Sequence, residues 1–325
     1  MNRLKKLFAL EKSPNRSLMA IEWVVLGYML LTLIIVLFTY TKMEHPDAMI
    51  WGRLRVGFIT LALWTVYRLV PCPVTRLLRV LTHLLLLSWW YPDTYEINRL
   101  FPNLDHVFAQ AEQWVFGFQP ALVFHQVMPG AVFSELMDLG YAAYYPMIAA
   151  VILYYFFKRY GEFERASFVV LAAFFIFYVI FIALPVTGPQ YYFPAIGMDK
   201  AAEGIFPNLY DYFNSHNERM VSPGYKDGFF YHLVESAHDA GERPTAAFPS
   251  SHVGITTIIM LLAWRSGSRW LFWILFPLFV LMCFATVYIL AHYAIDAIVG
   301  LIVGVMMYYG LMWSTRHWKP LKTFK

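Results

Sequence analysis

The sequence predicts an all-α protein that is embedded in a membrane as a bundle of about eight transmembrane helices. Apolar residues make up 59% of the 325 residues and charged residues only 14%, whereas a soluble domain carries about a quarter charged residues. The chain also contains eight apolar stretches, and a helix needs about 20 such residues to cross a bilayer. The stretches are residues 21–40, 55–70, 77–91, 136–157, 168–185, 252–264, 270–290 and 295–313.

Composition excludes two other classes of protein. The formal net charge is only +4, and the basic residues lie in short connections instead of on one face, which is not the pattern of a nucleic-acid-binding protein. The chain has two cysteines, Cys72 between prolines and Cys283 in an apolar run, so neither a disulfide framework nor a thiolate metal site is expected. We expect no cofactor and no metal.

Lysine and arginine in the connections predict the orientation, because cytoplasmic loops are enriched in them. The connection 92–135 has a single basic residue, Arg99, and five acidic ones, so we expect it outside. The first connection is an exception, with Lys42, Arg53 and Arg55 on the outer side. Both termini are then cytoplasmic, and the long segments 92–135 and 186–250 are periplasmic or lumenal. The cytoplasmic basic residues are Arg3, Lys5, Lys6, Lys12, Arg16, Arg68, Arg76, Arg79, Lys158, Arg159, Arg165, Arg265, Arg269, Arg316, Lys319, Lys322 and Lys325.

A histidine and an aspartate mark the start of the last span. His292 and Asp296 are four residues apart, so on a continuous helix they share one face. A carboxylate in that position can accept a hydrogen bond from Nδ1 of the imidazole and leave Nε2 as a nucleophile or ligand. The alternative is an interfacial ion pair that closes the helix N-terminus. Ionisable residues at the end of a span favour a functional role.

A second polar motif precedes the sixth span. Ser250 and Ser251 are placed to cap a helix N-terminus, whose exposed amides attract anions. Arg243 could hold a phosphate with its guanidinium fork, and His252 in the first turn could protonate a leaving oxygen. The alternative is an ordinary helix cap beside a solvated His and Arg.

The predicted topology brings the two motifs to the same membrane face, because His252 begins the sixth span and His292 follows the seventh. A nucleophile, an orienting acid, a proton donor and a charge clamp are the groups that phosphoryl transfer through a phosphohistidine requires. Segment 105–118 in the preceding outer connection has apolar residues near helical spacing and could lie flat at the membrane surface.

These motifs resemble the type 2 phosphatidic acid phosphatase superfamily, which is related to vanadium haloperoxidases. Pro249-Ser250-Ser251-His252 is similar to its Pro-Ser-Gly-His signature, and His292 with Asp296 to its His-x-x-x-Asp signature. The resemblance implies His292 as nucleophile, Asp296 as its partner and His252 as general acid and base. It also implies a six-helix core, so we expect a catalytic membrane domain over 71–325 and a tail with two accessory spans over 1–70.

Two basic signatures of that superfamily differ here. Ala285-Thr286 stand where Ser-Arg is usual, and Ser236 stands where a lysine is usual; Lys226 and Arg219 are candidate replacements. The pattern Phe-Pro-Ser-x-His followed by Thr-Val-Tyr and His-Tyr-x-x-Asp is more similar to the inositol phosphorylceramide synthase branch. Gly188-Pro189-Gln190-Tyr191 resembles a further element of that branch, which implies substrate binding by Gln190 and Tyr191; the alternative is a turn with interfacial tyrosines.

The sequence therefore predicts a membrane lipid phosphotransferase that moves a phospho-head group through a phosphohistidine. The donor would be a membrane phospholipid or lipid phosphate, and the acceptor a lipid hydroxyl such as that of ceramide or diacylglycerol. A lipid phosphatase with the same residues is the alternative, with water as acceptor. A transporter or other non-enzymatic membrane protein ranks lower, because the polar residues gather at one membrane face instead of near the midplane.

Overall fold

The computed structural model describes residues 3–11 and 14–321, so Lys12, Lys322 and Lys325 of the basic tails lie outside it. Throughout this part of the chain the regular structure is helical, without strands. The helices are α1 (Arg3–Leu7), α2 (Ala20–Phe38), α3 (Pro46–Leu69), α4 (Pro73–Leu85), α5 (Leu87–Asn98), α6 (Asp105–Phe116), α7 (Pro120–Val127), α8 (Ala131–Ala142), α9 (Tyr144–Lys158), α10 (Tyr160–Ala183), α11 (Pro189–Ile196), α12 (Met198–Ala202), α13 (Phe229–Gly241), α14 (Ser251–Arg265), α15 (Arg269–Tyr288) and α16 (Ala294–Ser314).

The predicted helical membrane bundle is confirmed, whereas the count of eight spans is not. Within the described residues, five helices are long and apolar enough to cross a bilayer: α2, α3, α10, α15 and α16. The pair α8 and α9, bent by 46°, counts as a sixth if it is one span.

The two remaining predicted spans correspond to shorter helices. The stretch 77–91 divides between α4, of 13 residues, and α5, of 12 residues. The stretch 252–264 forms α14, which has 15 residues. A helix rises 1.5 Å per residue, so each of these is shorter than the hydrocarbon core of about 30 Å.

Buried ion pairs tie the first two spans to the rest of the bundle. Glu22 on α2 accepts a hydrogen bond from Nε of Arg79 on α4 at 2.6 Å, and neither side chain is exposed. Arg53 on α3 makes a two-pronged pair with Asp93 on α5, at 2.9 and 2.8 Å. Glu22 lies in the first turn of α2 and Arg53 in the first half of α3, so each of the two spans in the predicted accessory segment 1–70 has one buried ion pair to the rest of the bundle.

Three glycines allow α14 and α16 to touch backbone to backbone. A Cβ on Gly254 would lie 3.0 Å from the carbonyl oxygen of Gly300, and one on Gly304 would lie 2.5 Å from that of Gly254. A Cβ on Gly300 would collide with the carbonyl oxygen of Ser250. Small residues spaced four apart permit this close approach between membrane helices, and here it presses the start of α14 against α16.

The long segments 92–135 and 186–250 fold into a helical cap over one end of the bundle. Helix α13 is fixed to α8 by Glu135, whose carboxylate accepts hydrogen bonds at 3.1 Å from the backbone of Phe230 and Tyr231. Helix α6 packs its face with Asp105, Ala109 and Glu112 inward, all three fully buried, and leaves Trp114 exposed. The segment expected to lie flat at the membrane surface therefore also contributes buried carboxylates to the cap.

Candidate active site

The start of α14 is fixed by its cap and by α16. Ser250 is buried and is the N-cap residue, and its hydroxyl accepts a hydrogen bond from the backbone N–H of Val253 at 3.4 Å. Its own N–H donates to the backbone carbonyl of Asp296 at 3.0 Å. Ser251 and His252 follow in the first turn with partly exposed side chains. The free amides of this turn, together with the helix dipole, form the positive end expected there.

His292 lies in the connection between α15 and α16, and the backbone fixes its ring. Its N–H donates to the carbonyl of Thr286 at 3.0 Å, and ring atom Nδ1 lies 2.7 Å from the carbonyl oxygen of Ala247. A carbonyl oxygen only accepts, so Nδ1 carries the hydrogen and Nε2 carries the lone pair. Nε2 faces Nδ1 of His252 at 3.4 Å. The structure thus brings the two predicted catalytic histidines into contact.

Asp296 does not hold His292 in the way the four-residue spacing predicted. Its Oδ2 lies 3.7 Å from Nδ1 of His292 and instead accepts the backbone N–H of Tyr293 at 2.9 Å. Oδ1 has no hydrogen-bond partner among the described residues. The physical reason is that α16 begins only at Ala294, so His292 and Asp296 do not share one continuous helix. The Ala247 carbonyl takes the orienting position instead.

Burial makes His292 a neutral imidazole at physiological pH. Desolvation lowers the pKa of His292 to about 4, although the Ala247 carbonyl and the charge of Glu242 both act in the opposite direction. A neutral imidazole with a hydrogen on Nδ1 presents an unprotonated Nε2, which is the form that attacks phosphorus.

Two tyrosines at the bend between α8 and α9 hold the His252 ring. Tyr141 stacks on it with ring centroids 4.6 Å apart and planes at 29°, and Tyr144 packs at 4.4 Å and 45°. The Tyr141 hydroxyl in turn lies 3.4 Å from Nε2 of the buried His238 on α13. The bend between α8 and α9 therefore places both tyrosine rings against His252 at the start of α14.

Of the residues predicted to bind phosphate, Gln190 and Tyr191 lie inside the protein near the His292 loop, whereas Arg243 lies on the surface. Gln190 and Tyr191 are buried; Gln190 donates its N–H to the carbonyl of Leu290, two residues before His292, at 3.0 Å. The Gln190 side-chain oxygen has no partner among the described residues. Arg243 is exposed, and its guanidinium donates to the carbonyl of Glu242 at 3.0 Å. It contacts neither histidine directly.

Charges nevertheless converge near Tyr191. Burial and the carboxylate of Glu242 raise the pKa of the Tyr191 hydroxyl, whereas Arg219 and Arg243 lower it. Arg219, one of the candidate replacements for the altered basic signatures, already pairs with Glu235 at 2.8 Å and Asp239 at 3.4 Å. At the site of the other alteration, Ala285 and Thr286 are fully buried and supply no cation. Lys226 lies on the exposed surface of the cap.

Two buried carboxylates on α6 were not predicted as site residues. Asp105 accepts hydrogen bonds from Asn103, from the backbone and hydroxyl of Thr187, from Gly188 and from the Tyr293 hydroxyl, at 2.6 to 3.0 Å. Glu112 accepts the backbone N–H of Ile295 at 3.0 Å, and burial raises its pKa to about 7. Both reach the loop around His292 from more than 180 residues away in sequence. Among the described residues, no group of three His, Cys, Asp or Glu side chains is placed to hold a metal ion.

The apolar bundle is that of an integral membrane protein, and its two facing histidines are side chains that nucleophilic and acid–base catalysis use. The profile of the PAP2 superfamily matches residues 106–310, and the chain belongs to this superfamily. Its members are generally phosphatases or phosphotransferases. The superfamily resemblance is thereby confirmed, and the inositol phosphorylceramide synthase branch stays a prediction. No curated protein and no solved structure matches the chain.

Proposed function

We propose that this protein is a membrane lipid phosphotransferase that moves a phospho-head group between lipids through a phosphohistidine on His292. The observation that carries the proposal is the fixed tautomer of His292. Its Nδ1–H is held by the Ala247 carbonyl at 2.7 Å, and its Nε2 lies 3.4 Å from Nδ1 of His252. A neutral nucleophile, Nε2 of His292, and an acid–base group, the His252 ring, are thus close enough to act on the same phosphate.

In the first step Nε2 of His292 attacks the phosphorus of the donor lipid. The P–N bond forms while the bond from phosphorus to the leaving oxygen breaks, and His252 donates its proton to that oxygen. The helix dipole and open amides at the start of α14 stabilise the charge that develops on the phosphoryl oxygens. Asp296, buried 3.7 Å from Nδ1, favours the positive charge that the His292 ring gains.

In the second step a lipid hydroxyl attacks the phosphohistidine. The new P–O bond forms, the P–N bond breaks, and His252 takes the hydroxyl proton, so both histidines return to their starting states. The apolar surroundings of the two rings favour a lipid acceptor such as ceramide or diacylglycerol over bulk water.

The charges around the site favour a phosphodiester donor. A phosphate monoester carries about −1.5 to −2 charges near pH 7, whereas a phosphodiester carries one. Of the two arginines near Tyr191, Arg219 is neutralised by Glu235 and Asp239, which leaves Arg243. The carboxylate of Glu242 adds a negative charge that acts on His292. This balance matches a monoanion better than a dianion and supports the transferase over the phosphatase.

A product assay tests the proposal. Purified protein is incubated with a phospholipid labelled in its head group, with and without ceramide or diacylglycerol. A transferase yields a new labelled phospholipid only when the acceptor is present. Release of a water-soluble, labelled head-group phosphate that is insensitive to the acceptor would establish hydrolysis instead. His292→Ala should abolish turnover, whereas the control His216→Ala, at an exposed position in the cap, should retain it.

We also propose that the site faces the periplasm or lumen and that both termini are cytoplasmic. The chain has two native cysteines, Cys72 and Cys283, which can be replaced to give a background for labelling. A cysteine at exposed Arg243 should react with a membrane-impermeant maleimide from outside, and one at exposed Lys319 only after permeabilisation. The reverse pattern would contradict the orientation.

A further inference from the structure

The loop that carries His292 is held in place by hydrogen bonds that involve neither His252 nor the His292 side chain. Its backbone neighbours are Ala291 and Tyr293, and both are buried. The carbonyl that orients the ring belongs to Ala247, in a different segment. The position of Nε2 therefore depends on how Ala247 and the 291–293 loop are held relative to each other.

Residues 186–188 lie between these two segments. The Val186 carbonyl accepts the N–H of Ala247 at 2.9 Å. Gly188, at φ +90°, lies so close to the loop that a Cβ would be 2.7 Å from the Ala291 carbonyl oxygen and 3.1 Å from Cβ of Ala247. Only glycine fits both this backbone conformation and this space. The 186–188 turn thus acts as a spacer for the His292 ring.

Asp105 fixes this spacer and the loop with one carboxylate. Its Oδ2 accepts the N–H and the hydroxyl of Thr187 at 2.6 and 2.9 Å. Its Oδ1 accepts the N–H of Gly188 at 2.9 Å and the hydroxyl of Tyr293 at 3.0 Å. Charged acceptors make the stronger hydrogen bonds, and Asp105 and Tyr293 are both fully buried. One oxygen therefore joins the spacer to the residue that follows His292.

We propose that Asp105 and Tyr293 are positioning residues that hold Nε2 of His292 on line for attack at phosphorus. Neither touches the substrate; they act through the Thr187–Gly188 turn and through the backbone on the C-terminal side of His292. The inference rests on the proposed function, because it takes His292 as the nucleophile.

The test compares two buried tyrosines of the cap. Tyr293→Phe removes only the hydroxyl that reaches Asp105. Tyr192→Phe is the matched control, because that hydroxyl is also in the buried cap but donates to the Pro207 carbonyl at 2.8 Å. Misplacing a catalytic group by about 1 Å costs about a hundredfold in rate, so Tyr293→Phe should lower kcat by about tenfold or more with KM nearly unchanged. Tyr192→Phe should keep the wild-type kcat.

A second readout separates positioning from general loosening. If the clamp is released, the His292 ring gains solvent, and the acid limb of kcat/KM should move up from about pH 4 toward the ordinary histidine range. Thr187→Val removes one hydroxyl at Asp105 and keeps both backbone hydrogen bonds. It should lower kcat and raise the pH of the acid limb, each by less than Tyr293→Phe does. If Tyr293→Phe does not fold, Thr187→Val is the test variant. A wild-type kcat and a wild-type pH profile in Thr187→Val would then overturn the inference.

The two proposals fail in different ways. If His292→Ala keeps wild-type turnover, the proposed function is wrong and the positioning inference loses its object. If His292→Ala is inactive but Tyr293→Phe matches Tyr192→Phe in kcat and in pH profile, only the positioning inference is refuted.

Discussion

Replacing Gly300 by alanine tests whether the contact between α14 and α16 sets the active-site geometry. The added Cβ would overlap the carbonyl oxygen of Ser250, which would have to retreat by about 1 Å to reach an ordinary contact of 3.4 Å. Ser250 caps the helix that carries His252, and its carbonyl accepts the first helical hydrogen bond from Gly254. The displacement therefore passes directly to the start of α14.

The size of the effect follows from two terms. Overpacking costs about 1–3 kcal/mol, and the better helix propensity of alanine returns about 1 kcal/mol, so Gly300→Ala should destabilise the fold by up to about 2 kcal/mol. A shift of about 1 Å at the first turn of α14 should reduce kcat by about a hundredfold. The loss of activity should thus exceed what the loss of stability explains.

Gly310→Ala is the control on the same helix, because a Cβ there meets nothing within 4 Å. It should stabilise the protein by about 0.5–1 kcal/mol and leave kcat unchanged. The assay is head-group transfer at saturating substrate together with thermal unfolding in the same detergent. Equal rates in Gly300→Ala and Gly310→Ala would refute the reasoning, because the α14 start would then not depend on α16.

Three further predictions concern the charged groups. Because burial lowers the pKa of His292 to about 4, the loss of kcat/KM that reports protonation of His292 as pH falls should come near pH 4; a loss on that side near 6.5 would place the ring in water. Burial raises the pKa of Glu112 to about 7, so its ionisation makes the fold less stable as pH rises from about 4.5 through 7. The unfolding temperature of Glu112→Gln should therefore fall less between pH 5 and 8 than that of the wild type. Asp296→Asn should lower kcat by only about tenfold, since the Ala247 carbonyl orients His292 and a neighbouring opposite charge shifts a pKa by about 1–3 units, each worth about 1.4 kcal/mol. Inactivity equal to that of His292→Ala would restore Asp296 to the orienting role.

The sequence predicts the bundle and the meeting of the two histidines because both depend on long-range regularities. Apolar length predicts membrane helices, and the alternation of basic connections predicts which helix ends share a face. His252 and His292 are then expected at the same membrane face, and the packing of α14 against α16 brings their rings within 3.4 Å. The number of spans is less predictable, since α4 and α5 break at Leu86 and α14 is short; breaks of this kind depend on packing against neighbours.

The orienting contacts around His292 were not predictable in the same way. The acceptor of its Nδ1–H is a backbone carbonyl, and every residue has one, so Ala247 leaves no signature in the sequence. Asp105 precedes Tyr293 by 188 positions, and only the folded cap brings them together. The spacing of His292 and Asp296 even misleads, because the helix starts between them.

The ion pairs that hold the first two spans have a consequence for how the protein enters the membrane. Arg53 on α3 emerges from the ribosome before its partner Asp93 does, and Glu22 emerges before Arg79. A lone charge in a lipid-facing helix costs about 2.5–3.5 kcal/mol at the helix centre on insertion scales and less toward the ends, where Glu22 and Arg53 lie. The early helices should therefore remain beside the insertion machinery until α4 and α5 arrive and neutralise them. A chain that starts at residue 71 would present Arg79 and Asp93 unpaired and should insert poorly, even though every predicted catalytic residue is present.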